Sequence, residues 1–283
     1  MKIFKFKNKL ILQFLFVIIF FSTLQAKNLD KFNEGNYISD YFSGILLLKD
    51  NQYNESYSYL RRLSGLESSH LTYSSKFLYS LVNLGKFNEA YNYSKKLEKT
   101  KLDNFESDLI IGIYFLKTKN YDLAQKYFLK LKNRKSNSIL NSFVSDSLIN
   151  WVSFKNLNFN GAQNKIDAID SRFEHLKNIQ QVFLHCYYKS QKTNFFFEEL
   201  TINQNIDFSR YNFFYATYLS NNGKVDQAKE VVASSLKLYP RNLLLNQYKL
   251  DLDNEKYQNN FNCQNLSNVI AEIFYITANA LSS

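Results

Sequence analysis

Proline and glycine are almost missing from this sequence, with 1 Pro and 7 Gly among 283 residues. Sandwiches, barrels and flexible linkers need far more of both, so the shortage excludes a strand-and-turn architecture and a disordered chain. Long helices with short joints remain. Cysteine is nearly as scarce: Cys186 and Cys263 stand 77 positions apart, with no metal-ligand spacing around either. They are expected as isolated core residues rather than as a disulfide framework. Three scattered histidines, His70, His175 and His185, belong to no His-Glu-x-x-His pattern, and there is neither a Gly-x-Ser-x-Gly elbow nor a glycine-rich phosphate loop. The sequence therefore supports no catalytic residue, metal or other cofactor, and the protein reads as no enzyme. His185 precedes Cys186, but consecutive helical residues point about 100° apart, which argues against a nucleophile and base pair. The same geometry separates Glu198 from Glu199, which read as surface acids.

What is abundant is aromatic and basic. Phe and Tyr number 26 and 21. Phe, Tyr, Ile, Lys and Asn share A/T-rich codons, so a biased genome is one explanation of that excess. The formal charge is +10, and Lys2, Lys5, Lys7 and Lys9 fall in a segment expected to be removed, which leaves +6. Two clusters close helical segments: Lys95, Lys96, Lys99 and Lys101, then Lys126, Lys130, Lys132, Arg134 and Lys135. Cations at helix C-termini are favoured by the helix dipole, so the clusters need no nucleic acid to explain them. Residues 1–9 alternate lysine with apolar residues. Residues 10–21 are uncharged and apolar but for Gln13, and a stretch ending in Ala26 follows. That is the layout of a secretory signal peptide cleaved after Ala26, giving a mature chain that begins near Lys27 outside the cytoplasm, in the periplasm. An uncleaved signal anchor in the inner membrane is the alternative, although the apolar stretch is shorter than the roughly 20 residues a spanning helix needs.

The clearest internal signal is periodic. Ser56, Ala90 and Ala124 lie 34 residues apart, each three residues after an aromatic, Tyr53, Phe87 or Tyr121. The theme returns as Phe159-Asn-Gly-Ala162 and Val225-Asp-Gln-Ala228, and apolar helices are expected upstream of each joint, over 38–48, 73–84, 109–116, 143–154 and 211–219. These residues resemble the tetratricopeptide repeat family, which pairs Leu and Gly in the first helix, a small residue in the second and a proline at the end. Here the pair stands as Ser43-Gly44 and Ile111-Gly112, and Pro240 follows Ala228 by twelve residues. The resemblance covers most of 37–254. It implies an all-α, right-handed α-solenoid of helix-turn-helix repeats in six units: 37–68, 71–102, 105–136, 139–171, 174–203 and 209–240.

In that family the first helices line a concave groove. The resemblance therefore implies a partner-binding face formed by Ile38, Tyr41, Ile45, Tyr79, Leu109, Ile113, Trp151, Phe154, Phe183, Tyr187 and Phe213. Carboxylate capture as in some relatives is not expected, since only Arg210 stands at a suitable place. Residues 255–283 read as a linker and a helix whose stripe of Ile270, Ile273, Phe274, Thr277 and Leu281 has no following helix to cover it. That helix is expected either to continue into a longer chain or to dock on a partner. The expected function is a non-catalytic scaffold or adaptor of the bacterial cell envelope that holds a protein or peptide. The alternative is the substrate-binding arm of a longer exported enzyme, and peripheral contact with an anionic membrane surface is a third reading.

Overall fold

A computed structural model of the protein describes residues 35–134, 139–202, 209–257 and 261–282. The expected signal peptide, 1–26, lies outside the described residues. Among the described residues there is no strand, and fourteen α-helices follow one another. They are α1 (Gly35–Lys49), α2 (Tyr53–Arg62), α3 (Leu71–Asn83), α4 (Phe87–Lys99), α5 (Phe105–Lys117), α6 (Tyr121–Lys132), α7 (Ile139–Ser153), α8 (Phe159–Asp167), α9 (Glu174–Tyr187), α10 (Thr193–Ile202), α11 (Ser209–Asn221), α12 (Val225–Leu238), α13 (Leu243–Asp253) and α14 (Leu266–Ser282). Among the described residues the fold is all-α, a succession of packed helix pairs. The described residues divide into two compact units that part between Ile111 and Gly112. No described helix is long and apolar enough to cross a membrane.

The turn that ends the first helix of a pair recurs almost unchanged. Two residues past α1, α3, α5, α9, α11 and α13, the chain takes a positive φ, at Asn51, Gly85, Lys119, Lys189, Gly223 and Glu255. The next amide then reaches back five positions, as in Gln52 N to Leu47 O (2.8 Å), Lys86 N to Leu81 O (2.9 Å) and Asn120 N to Phe115 O (2.8 Å). This is the Schellman closure, which satisfies carbonyls the helix would leave open. Lys119 sits at φ 59° and Lys189 at φ 54°, a conformation that strains any residue with a Cβ. Lys119→Gly should therefore raise stability by about 0.5–1 kcal/mol, less than the full strain because glycine gains freedom when unfolded. An unchanged or lowered urea midpoint would count against that account. Asparagine supplies the next start: the side chains of Asn104, Asn120, Asn158 and Asn242 accept from the amides of Ser107, Leu123, Gly161 and Leu245 at 2.9–3.2 Å.

Between paired helices, size is matched position by position. Ser56, Ala90, Ala124, Ala162 and Ala228 are fully buried. In the first pair the Ser56 hydroxyl donates to Gly44 O at 2.8 Å, and a Cβ on Gly44 would meet Leu60 Cδ2 at 2.7 Å. In the third pair a Cβ on Gly112 would run into the Phe128 ring. The second pair carries Leu78 and Ser94 at these two positions, so large and small are exchanged, and both are buried. The Ser94 hydroxyl has no hydrogen-bond partner, so the position uses serine for its size rather than its polarity. The core of the first unit follows: Leu48, Leu60, Leu63, Leu66 and Tyr73 form one cluster, and Leu78, Leu81, Ala90 and Leu97 another.

The cysteines correct the sequence reading. Cys186 and Cys263 are bonded to each other, with Cα atoms 5.9 Å apart. They are not isolated core residues. Two cysteines without flanking pattern carry no sequence signal for pairing, and the topology alone brings residues 77 positions apart into contact.

Candidate partner-binding faces

In the first unit the expected face stays largely open. Ile38 is 48 % exposed and Tyr79 50 %. Tyr41, Ile45 and Leu109 are half-buried. Tyr41 shares a hydrogen bond with Thr72 Oγ1 (3.2 Å) and packs its ring 4.7 Å from His70, and Ile45 packs on the Leu48 cluster. The Tyr79 ring stands 6.1 Å from Tyr53. Two residues that the sequence reading did not single out, Phe42 and Leu46, are each 61 % exposed. With Ile38 they form a stripe at four-residue spacing along α1, a signal present in the sequence. Two lysines of the Lys95 cluster are engaged in ion pairs. Lys95 pairs with Glu98, and Lys96 Nζ meets buried Glu67 at 2.6 Å. Burial pushes the Glu67 carboxyl up, but hydrogen bonds from Lys96 and from the Glu67 and Gly65 amides outweigh it and hold the group below the usual carboxylate range.

In the second unit the expected lining is inside the protein. Ile113 is half-buried, and Trp151, Phe154, Phe183 and Phe213 are buried. The Trp151 indole donates to Gln180 Oε1 at 2.9 Å, and Gln180 donates to Ser147 Oγ at 3.0 Å, so α7 and α9 are joined by a satisfied polar pair. Phe154 lies 4.9 Å from the Trp151 ring, Tyr187 stands edge-on to it at 6.1 Å, and Phe213 lies 4.9 Å from Tyr248. Burial, then the neighbouring Tyr121, raises the Tyr187 hydroxyl pKa.

The cover over that unit is α14. Val269, Ile270, Ile273, Ile276 and Thr277 are buried, and the helix packs mainly on α7 and α9. Of the stripe that the sequence left bare, Ile270, Ile273 and Thr277 are buried and Phe274 is half-buried, while the Leu281 side chain lies outside the described residues. Glu272 is buried at the centre, where Arg210 Nε donates to Oε1 at 2.9 Å, Arg210 Nη2 to Oε2 at 2.8 Å and the Tyr211 hydroxyl to Oε1 at 3.2 Å. The Arg210 guanidinium also lies 4.0 Å from the Tyr275 ring. Phe261, just upstream of α14, packs 5.1 Å from Phe183 and 4.3 Å from Phe214.

The residues weighed for chemistry are dispersed. The Cys186 sulfur is in the disulfide, and His185 instead contacts Ser190 Oγ at 3.0 Å and stacks on Phe196 at 3.9 Å. Burial, then the nearby Lys192, lowers the His185 pKa. Glu198 accepts from Tyr215 (2.8 Å) and lines a hollow of about 700 Å³, while Glu199 lines a separate one of about 350 Å³ with His175. The two acids do not share a site. Among the described residues no group of three His, Cys, Asp or Glu side chains is placed to hold a metal ion.

No protein-family model and no curated protein sequence matches this chain. Among solved structures, the crystal structure of the APC/C hetero-tetramer Cut9-Hcn1 is similar over 81 % of this chain and 45 % of that one, at 13 % identity and a TM-score of 0.49. The protein thus spans less than half the length of that chain.

Proposed function

We propose that the protein is a non-catalytic scaffold or adaptor of the bacterial cell envelope, exported on its N-terminal segment, which holds a protein or peptide partner on the open face of its first unit. The observation that carries this reading is the apolar exposure of Ile38, Phe42, Leu46 and Tyr79. Aromatic and aliphatic anchors of this kind supply much of the energy of a protein interface. The Cys186–Cys263 bond supports the choice of compartment, since disulfides persist where thiols are not kept reduced.

The test is photocrosslinking in the cell, with a reactive residue placed at position 42, 79 or, on α12, 229. One partner should be captured from 42 and 79 and not from 229, and Ile38→Asp with Tyr79→Ala should lower capture about tenfold. Equal adducts from all three positions, or none, would sink the assignment of the face. A chain recovered with the cytosolic proteins would sink the envelope part.

A further inference from the structure

The second unit holds α14 as proteins hold a helix from elsewhere. Apolar residues at i, i+1, i+4 and i+7, Val269, Ile270, Ile273 and Ile276, are buried with Thr277 at i+8, and a single acid, Glu272, is gripped at i+3 by Arg210 and Tyr211. This is helix-in-groove recognition, with an orienting ion pair in its middle. The main partners of α14 are α7 and α9, far upstream in the chain. The helix is anchored covalently at its root, because Cys263, three residues before it starts, is bonded to Cys186 in the last turn of α9.

We propose that this face is a helix-binding seat, that α14 is its intramolecular ligand, and that oxidation of Cys186 and Cys263 selects the occupant. In the disulfide form α14 holds the seat. In the dithiol form the seat takes a helix of another protein with the chemistry of α14: apolar at i, i+1, i+4 and i+7, with a carboxylate at i+3 to meet Arg210. Closure is a thiol–disulfide exchange. The Cys186 and Cys263 sulfurs form the new S–S bond while that of a disulfide oxidant breaks, and two electrons and two protons pass to the oxidant, which leaves as a dithiol. The bond pins the root of α14 beside the seat and raises its effective concentration there. Both cysteines are buried once joined, so the choice is made when the chain is first oxidised.

The test uses the whole chain in its disulfide form, under a dithiol reductant, and as Cys186→Ser with Cys263→Ser. The probe is a fluorescein-labelled peptide of residues 266–282. Anisotropy should show binding at least about tenfold tighter to the dithiol and serine forms than to the disulfide form, and a peptide carrying Glu272→Lys should bind about tenfold more weakly. Hydrogen exchange in the dithiol form should quicken at least about tenfold more in α14 than in α7 and α9, over and above the loss of stability that the whole unit shares. Equal quickening of α7, α9 and α14 overturns the proposal, because α14 is then integral core. So does selective quickening of α14 without peptide binding, or equal binding to all forms. The partner face proposed above is probed at positions 42 and 79, in the other unit, and stands or falls apart from this result.

Discussion

Replacing Cys186 and Cys263 together by serine lowers the stability of the second unit by about 4 kcal/mol and leaves the first unit unchanged. The magnitude follows from the loop: a crosslink between residues 77 apart removes much of the freedom of the unfolded chain, and the entropy taken away grows with the logarithm of the loop length. Trp151 is the one tryptophan of the protein and is buried in the second unit, so its fluorescence reports that unit alone. With a urea dependence of about 2 kcal/mol per molar for a unit of this size, the Trp151 transition should move down by about 2 M. Reduction of the parent protein should reproduce the shift. A displacement under about 0.5 M would mean that the unfolded unit is already compact enough for the crosslink to restrain little.

The second large effect is at the seam of α5 and α6. Gly112→Leu should cost about 3 kcal/mol, because the new side chain enters space filled by the Phe128 ring and the two helices must separate. Adding Phe128→Ser rebuilds the combination that the second pair already uses at Leu78 and Ser94, and should recover more than half of the loss. The pair of changes is more informative than either alone, since additivity predicts a double variant worse than Gly112→Leu. A double variant as unstable as the sum of the two would show that the exchange of sizes seen in α3 and α4 does not transfer to α5 and α6.

The parts of this fold that were legible in the sequence are those set by residues near one another. The period carried by Ser56, Ala90 and Ala124 marks buried contacts between helices of one pair, and the shortage of proline and glycine marks the class. The turn positions were half legible: Gly85 and Gly223 announce themselves, whereas Lys119, Lys189 and Glu255 occupy the same left-handed conformation under residues that give no sign of it. What the sequence could not give was the partner of each apolar face. Trp151, Phe154 and Phe183 are recognisable as the inward side of first helices, but nothing local in the chain says that α14 packs on α7 and α9 or that Phe261 meets Phe183. The same holds for the stripe of α14 and for the two cysteines. Phe42 and Leu46 stand at helical spacing in the sequence, but of their stripe the repeat resemblance names only Ile38.

The matched sizes at the seams also bear on how such a chain changes by recombination. Gly44 with Leu60, Leu78 with Ser94 and Gly112 with Phe128 each lie within a single helix pair. A duplication or deletion with its breakpoints between pairs carries both members of a seam together and leaves every match intact. A crossover at the tight turn inside a pair, where the 34-residue register is equally well kept, joins the first helix of one pair to the second of another, and can set Leu78 against Phe128 or Gly112 against Ser94. The turns at Asn51, Gly85 and Lys119 are therefore poor places to cut and the joints between pairs good ones, even though both preserve the repeat length.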